Sequence, residues 1–154
     1  MFEDSDYSEE ILIERNNNEL ANKLGNLVSR VTALAEKNRI EKTENKLLKK
    51  LKLKEIEKYI NNYEFDKSLN EIFAFIDNCN EYVQEKKPWE TKDKKILYEL
   101  LDSIKVIAIL LWPFMPETSE KISKQLGFEI KYSEIEKPLK VKSVKKGEIL
   151  FKKI

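Results

Sequence analysis

Three polar side chains recur at helical spacing near the start of the chain. Asn22, Asn26 and Arg30 step by four, so they lie on one stripe of a helix. That stripe is roughly opposite the face formed by neighbouring leucines. Amide and guanidinium groups hydrogen-bond base edges and phosphates, so the stripe is a candidate nucleic-acid contact. An ordinary polar helix face has the same spacing, and the spacing alone leaves both interpretations open.

A tryptophan follows a proline break among lysines, in the order Lys86, Lys87, Pro88, Trp89. Bases of any identity stack on an indole ring, and each stacked base contributes about 1–3 kcal/mol. Trp89 is therefore either a stacking platform or a side chain that folds back to cap the core. Lys86 and Lys87 are candidates for non-specific phosphate contacts beside it.

The chain has no histidine and one cysteine, Cys79. This composition excludes Ser-His-Asp and Cys-His nucleophile systems, histidine-ligated zinc, internal disulfides and cysteine-rich metal sites. We therefore predict no catalytic residue and no metal site. The acidic first residues do not form a signal peptide, and the longest apolar run, 106–115, is too short to cross a bilayer. We expect a cytoplasmic location without a membrane partner, and Cys79 in the core.

The net charge is only +1, but the lysines are unevenly distributed. Residues 42–54 carry six lysines and one glutamate, and residues 131–154 carry eight lysines and three glutamates. Such segments attract phosphate without sequence preference. A lysine-rich solvated surface is the alternative interpretation of each segment.

Few glycines (3) and prolines (4) favour helices. Apolar residues at spacings of three and four predict helices at residues 8–37, 43–61, 64–86, 92–112 and about 117–126. Asn62 is a possible cap at the start of the third helix, and Pro88 should end it. The prediction is an all-α bundle of about five helices over residues 1–130, with a short extended basic tail over residues 131–154.

The fourth predicted helix is apolar almost all round from Ile104 to Leu111. A helix without a polar face is normally central in a bundle. The Trp-Pro-Phe-Met-Pro segment that follows, 112–116, is too apolar for a polar site and is expected to form a packed turn.

Four motifs taken in order resemble the anticodon-binding helical domain of methionyl-tRNA synthetase, a class I aminoacyl-tRNA synthetase. They are NELANKLGNLVSR (18–30), YEFDKSL (63–69), NEYVQEKKPW (80–89) and IAILLWPFMPET (107–118). The closing segment 147–154 is similar to the family's return segment after the bundle. The Phe-Met-Pro turn favours the methionine enzyme over its leucine, valine and isoleucine relatives.

The resemblance implies a role for each candidate residue. Asn26, Arg30 and Trp89 would meet the CAU anticodon of methionine tRNA, and Asn22 extends their set by one turn. Trp89 would stack on the first anticodon base, cytosine, because an anticodon loop presents unstacked bases. Asn26 and Arg30 would hydrogen-bond base edges, and Arg30 could also hold a phosphate. The lysine segments would add salt-sensitive attraction.

The resemblance also implies what this chain lacks. The family's nucleotide-binding signature contains histidines, so this chain alone should be inactive, and ATP and methionine would bind a catalytic domain outside it. The expected partners are methionine tRNA and that catalytic domain, fused or separate, in a methionine–tRNA ligase of protein biosynthesis. The tail would pack on the bundle or on that domain.

Two alternatives remain open at this point. One is the matching domain of a leucine, valine or isoleucine synthetase. The other is a helical protein-interaction module without RNA binding, which would bury Trp89.

Overall fold

The structure is a computed structural model, and it describes residues 23–37, 40–91, 93–135, 137 and 139. The described part contains six α-helices and no strand, so the predicted all-α class is confirmed. The α-helices are α1 (Gly25–Lys37), α2 (Leu53–Asn61), α3 (Phe65–Lys86), α4 (Pro88–Thr91), α5 (Lys94–Leu111) and α6 (Pro116–Leu126). Two 3-10 helices lie at Lys46–Lys50 and Tyr132–Glu134. No helix of the described part is long and apolar enough to cross a membrane.

Local sequence signals explain where the main helices begin and end. Asp93 caps α5, because its Oδ1 accepts hydrogen bonds from the backbone N–H groups of Lys95 (2.9 Å) and Ile96 (3.3 Å). Pro116 starts α6, where its missing N–H costs nothing. Gly127 ends α6 with a φ of 75°, a left-handed conformation that glycine adopts easily.

The predicted helix 43–61 is divided, and this part of the prediction was wrong. The chain becomes extended at Leu51, between the 3-10 helix and α2. Leu47 and Ile56, on either side of this break, are both buried. In a continuous helix, residues nine positions apart would point to opposite faces, so the break allows both side chains to reach the core.

The turn between α2 and α3 also differs from the prediction. Asn62 is the C-cap of α2 and does not cap α3. Tyr63 has a φ of 60°, and the left-handed residue reverses the chain so that α3 begins two residues later, at Phe65. The short helix α4 was not predicted at all.

Helix α5 is the centre of the bundle, as the sequence predicted. Every residue from Leu97 to Leu111 is buried, and the helix contacts α1, α3 and α6. Cys79 of α3 faces this core, and burial raises the pKa of its thiol to about 12 despite a hydrogen bond to Ser103.

Helices α3 and α5 are antiparallel, which defines two ends of the bundle. Near one end, the Tyr82 hydroxyl donates to Glu99 Oε1 at 3.1 Å. At the other end, the rings of Phe65 and Phe114 meet edge to face with centroids 5.9 Å apart. We call these the Trp89 end and the Phe114 end.

Two buried charges of α5 hold part of the predicted tail. Lys105 Nζ lies 3.2 Å from Asp102 Oδ1 and donates to the backbone carbonyls of Glu134 (2.7 Å) and Lys137. The backbone N–H of Leu139 donates to Asp102 Oδ1 at 3.1 Å. We call this arrangement the Asp102–Lys105 clamp.

The described tail residues are anchored next to the clamp as well. The Tyr98 hydroxyl donates to the carbonyl of Leu139 at 2.9 Å, and burial next to the Asp102 carboxylate raises the pKa of Tyr98 to about 12. The side chains of Ile135 and Leu139 are buried in the core. This stretch therefore packs on the bundle, while the predicted boundary at residue 130 and the place of residues 140–154, which lie outside the described residues, stay predictions.

Candidate nucleic-acid interface

An open cleft of about 780 Å³ runs between α1 and α3 near the Trp89 end. We call it the α1–α3 cleft. It is lined by Lys23, Asn26, Arg30, Asp77, Asn80, Glu81, Gln84 and Glu85.

Helices α1 and α3 run side by side in the same direction, which forms the cleft. Lys23 Nζ lies 3.1 Å from Asp77 Oδ1, and the Asn80 side-chain amide donates to the Lys23 carbonyl at 3.4 Å. Two turns further along α1 and one turn further along α3, Arg30 contacts Gln84. The leucines and valines of α1 are buried against the core, so its polar stripe is left along the edge of the cleft.

Arg30 is held between two side chains. Its guanidinium carbon lies 5.7 Å from the centroid of the Trp89 ring, a cation–π distance. A guanidinium has only donors, so Gln84 presents its amide oxygen, which accepts from Nη2 at 3.1 Å and Nη1 at 3.2 Å. The guanidinium is thereby held as a planar group among the residues that line the cleft.

The backbone before Trp89 fixes the place of its ring. Lys87 ends α3 with a φ of 47°, and its N–H donates to the Val83 carbonyl at 3.0 Å. Pro88 is buried and starts α4, so Trp89 follows a rigid turn. The indole remains 39% exposed. The sequence left open whether Trp89 caps the core or presents a surface, and in the structure it presents a surface.

The structure brings three predicted site residues together. Asn26 is exposed and Arg30 is half-buried on one wall of the cleft. Trp89 does not line the cleft, but its ring lies against Arg30. Asn22 lies outside the described residues. Lys86 and Lys87 are exposed on the adjoining turn, where the Lys86 ammonium sits 5.9 Å from the Tyr82 ring centroid. Contact of these residues with RNA stays a prediction.

The charge of the cleft is mixed. Asp77, Glu81 and Glu85 line it together with Lys23 and Arg30. Carboxylates repel phosphates but accept hydrogen bonds from exocyclic amino groups such as N4 of cytosine. The cleft is therefore better suited to base edges than to a sugar-phosphate backbone.

The lysines of the predicted basic segment lie elsewhere on the surface. Lys46, Lys49, Lys50, Lys52 and Lys54 are all exposed on the 3-10 helix and the first turn of α2. They are accessible to phosphate, and no ion pair holds them within the described part of the chain.

Sequence reasoning missed the α3 wall of the cleft. Asp77, Asn80 and Gln84 are spaced by three and four, so they share one face of α3 beside its buried stripe. That spacing was readable, and Gln84 stands within the motif at 80–89. Its pairing with Arg30 was not readable, because it depends on how two distant helices pack.

Comparison with known families gives two matches. Residues 44–152 match the family described as the anticodon-binding domain of tRNA ligase. Residues 1–32 match the family described as tRNA synthetases class I (M). The first match covers most of the chain, and the second covers the part that contains Asn22, Asn26 and Arg30.

The curated relatives are much longer than this chain. The methionine–tRNA ligase of Caldanaerobacter subterraneus is 33% identical over 98% of this chain, and that of Methanocaldococcus jannaschii is 30% identical over 100%. The chain spans only 27% and 25% of these two proteins, about a quarter of each.

Solved structures support the fold. The apo methionyl-tRNA synthetase of Mycobacterium tuberculosis matches with a TM-score of 0.83 and 22% identity, over 94% of this chain and 34% of that one. Its complex with methionyl-adenylate matches with a TM-score of 0.82. At this level of identity the likeness concerns the helical architecture alone.

Proposed function

Since this chain belongs to the anticodon-binding domain family of tRNA ligases, we propose that it reads the CAU anticodon of methionine tRNA for a methionine–tRNA ligase. The observation that carries the proposal is the exposed Trp89 ring beside Arg30, a residue that lines the α1–α3 cleft. The methionine specificity is supported by the names of the relatives in bacteria and archaea.

Stacking on Trp89 would select an unpaired base. The ring is exposed and held by the turn at Lys87 and Pro88. A base that leaves the anticodon stack can lie on an indole with little cost, because the ring is already placed. The cytosine of CAU is the base that we assign to this position.

Hydrogen bonds from the walls of the cleft would supply base identity. Arg30 has its Nη atoms directed to Gln84, which orients the guanidinium plane for a base edge or a phosphate. Asn26 stands one turn earlier and offers an amide that both donates and accepts. Glu81 and Glu85 suit the amino groups of cytosine and adenine and would repel a backbone that entered the cleft.

Charging of the tRNA would take place on another part of the enzyme. ATP and methionine would bind a catalytic part, for which there is room in the relatives because this chain spans only about a quarter of their length. This domain would bind and orient the anticodon arm. The cytoplasm, where translation takes place, is the compartment that we propose.

The alternatives are less well supported. A protein-interaction module without RNA binding would bury Trp89, and the ring is exposed beside Arg30. The methionine enzyme is favoured over the leucine, valine and isoleucine enzymes because relatives at 30–33% identity that span nearly all of this chain are named methionine–tRNA ligases.

Binding of the 154-residue chain to two anticodon stem-loops tests the proposal. One stem-loop carries CAU, and in the other the cytosine is replaced by uracil. We expect at least tenfold tighter binding to CAU. Equal affinity for the two loops would contradict anticodon reading, and a Tyr132→Ala variant serves as a control for an exposed aromatic outside the cleft.

A further inference from the structure

Exposed lysines from two distant parts of the chain meet on one side of the bundle. One group lies on the segment 42–50, and the other lies on the turn after α3 and at the start of α5. The two parts touch where the backbone N–H of Glu41 donates to the Lys94 carbonyl at 3.4 Å. We call this surface the lysine face, and its members are Lys42, Lys46, Lys49, Lys50, Lys86, Lys87, Lys94 and Lys95, all exposed.

The lysine face extends from the Trp89 end toward the middle of the bundle. The Asn45 side-chain amide donates to the Glu99 carbonyl and to Ser103 Oγ, both at 3.0 Å. Lys94 and Ser103 are nine residues apart on α5, so the segment follows about 14 Å of that helix at 1.5 Å per residue. The 3-10 helix that comes next packs on α5 and α3, and its lysines continue the line of positive charge.

The lysine face and the α1–α3 cleft lie on opposite sides of α3. Tyr82 and Gln84 are two residues apart, so their side chains point about 200° apart around the helix. Gln84 lines the cleft. The Tyr82 hydroxyl donates to Glu99 Oε1 at 3.1 Å, and the Lys86 ammonium lies 5.9 Å from the Tyr82 ring centroid. The turn that carries Trp89 therefore stands at the end of the bundle between the two surfaces.

The charge of the lysine face is positive although the whole chain carries only +1. The carboxylates in the same described stretches are Glu41, Glu44, Glu90 and Asp93, so the lysines outnumber them two to one. Asp93 accepts hydrogen bonds from the first turn of α5, which offsets part of its charge. Within the described residues, no ion pair joins a lysine of this face to a carboxylate.

The lysine face lacks the apolar centre of a protein interface. The large exposed apolar side chains of the described part are Tyr63, Trp89, Trp112 and Tyr132, and only Trp89 lies within the segments of this face. Trp112 is 42% exposed, so the packed turn predicted at 112–116 was wrong for that residue. Protein interfaces are depleted in lysine, whereas an ammonium group binds phosphate as a point charge. The face therefore suits a sugar-phosphate backbone.

The cleft itself cannot serve the backbone in this way. Asp77, Glu81 and Glu85 line it and repel phosphate. RNA that places its bases there needs a second surface for its phosphates, and the lysine face supplies one beside Trp89.

We propose that the lysine face binds the sugar-phosphate backbone of the anticodon arm, on the side of α3 opposite the cleft. The proposal rests on the proposed function in that it takes the RNA to be one whose base stacks on Trp89. The anticodon loop would then straddle the end of α3, with its bases turned to the cleft and its phosphates following α5.

The double variant Lys46→Gln, Lys94→Gln tests the proposal at both parts of the face. Its affinity for the CAU stem-loop and for the loop with uracil in place of cytosine is measured over a range of salt concentrations. Both affinities should fall by the same factor, because phosphates carry no sequence information. The slope of log affinity against log salt should become shallower by about 1.4, which is about 0.7 for each lost phosphate contact.

The double variant Lys121→Gln, Lys124→Gln is the matched control. It removes two exposed lysines from α6, so the net charge changes equally. The slope should stay as in the unchanged chain. Circular dichroism should show the same helicity in both variants, since all four side chains are exposed.

Stem-loops with one neutral methylphosphonate at successive loop positions locate the contact. Where the modified phosphate is the partner of Lys46 or Lys94, the double variant should cost less affinity than it costs with the unmodified loop. The same cost at every position would mean a diffuse attraction and would contradict a bound path for the backbone.

Three further results would overturn the lysine-face proposal. They are an unchanged slope in Lys46→Gln, Lys94→Gln, which would leave the face to an acidic protein; an equal loss in the α6 control; and a changed preference for CAU. The anticodon proposal fails separately, if the unchanged chain binds both loops equally while the lysine variant still lowers the slope. Absence of any RNA binding would contradict both proposals.

Discussion

At the scale of the residue, the ring of Trp89 is expected to carry most of the stacking energy. Replacing it by alanine should weaken binding of the CAU stem-loop by about 1–3 kcal/mol, because one base loses its aromatic platform. Helicity should be unchanged, since the ring is exposed and α4 is short. Calorimetric titration and circular dichroism measure the two effects.

Trp112→Ala is the matched control for this experiment. It removes the same side chain at a similar exposure, but at the Phe114 end. Binding of RNA should be unaffected in this variant. If Trp89→Ala binds as tightly as Trp112→Ala, stacking on Trp89 is excluded.

The guanidinium group of Arg30 should affect the preference for CAU over other anticodons more than it affects the overall affinity for RNA. Arg30→Ala is expected to reduce the preference for CAU over the uracil variant, because base-edge hydrogen bonds are lost. Arg30→Lys should lose this preference too, since an ammonium cannot form the paired contact with Gln84. Affinities for both stem-loops measure this, and a uniform loss for every anticodon would make Arg30 a phosphate contact.

Single residues of the site could be predicted to different degrees. The i, i+4 stripe indicated Asn26 and Arg30, and the proline before Trp89 indicated a ring at a chain break. Gln84 could not be given a role, because its partner lies on another helix. The placement of Trp89 beside Arg30 likewise depends on tertiary packing.

At the scale of the element, the Asp102–Lys105 clamp should stabilise both α5 and the segment 134–139. Lys105→Met leaves the Asp102 carboxylate buried without its cation, so the free energy of unfolding should fall by about 3–5 kcal/mol. Urea denaturation measures this change. Limited proteolysis should cut the segment 134–139 earlier in the variant.

Two further variants decide whether the charge is responsible. Lys105→Met combined with Asp102→Asn should recover part of the loss, because the amide is neutral and still accepts from Leu139. Lys131→Met removes an exposed lysine paired with Glu129 and should leave unfolding unchanged. A Lys105→Met variant as stable as the unchanged chain would show that the clamp is dispensable.

Elements with strong periodicity were predicted well, and breaks within them were not. The apolar stripes indicated α3, α5 and α6 nearly to their ends. The break at Leu51 and the left-handed turn at Tyr63 arise because the chain on each side must pack its apolar side chains into the core. Apolar spacing within one helix does not reveal such a break. Asp102 and Lys105, of opposite sign and three residues apart in an apolar helix, were a readable signal of a buried ion pair.

At the scale of the whole molecule, the salt dependence of RNA affinity should show which basic surfaces contact RNA. The logarithm of the affinity is expected to fall with the logarithm of salt concentration by about 0.7 for each phosphate contact. The double variant Lys49→Gln, Lys50→Gln should reduce this slope if the 3-10 helix touches the backbone. Lys121→Gln with Lys124→Gln on α6 is the control, and a flat salt response would remove the lysine segments from the interface.

Only part of the overall architecture could be predicted from the sequence. Scarce glycine and helical periodicity were sufficient for the all-α class. The parallel course of α1 and α3, and hence which end holds the cleft, depends on packing around α5. An exposed Trp112 could not be told from a packed one by apolar spacing.

The two residues that carry the proposed RNA contact come from segments that α2 and α3 separate in the sequence. Arg30 on α1 and Trp89 on α4 meet only after α1 and α3 have packed on α5. An RNA that bridges them has no site in the unfolded chain. Because it binds only the native state, it stabilises the fold by thermodynamic linkage. At a hundred times its dissociation constant it should add about 2.7 kcal/mol of stability, which a thermal melt detects as a higher Tm and which Trp89→Ala should diminish. If the melt did not move at saturating RNA, the bound contact would be one that the unfolded chain also offers. Where the melt does shift, tRNA bound in a cell would lower the fraction of this domain that is unfolded.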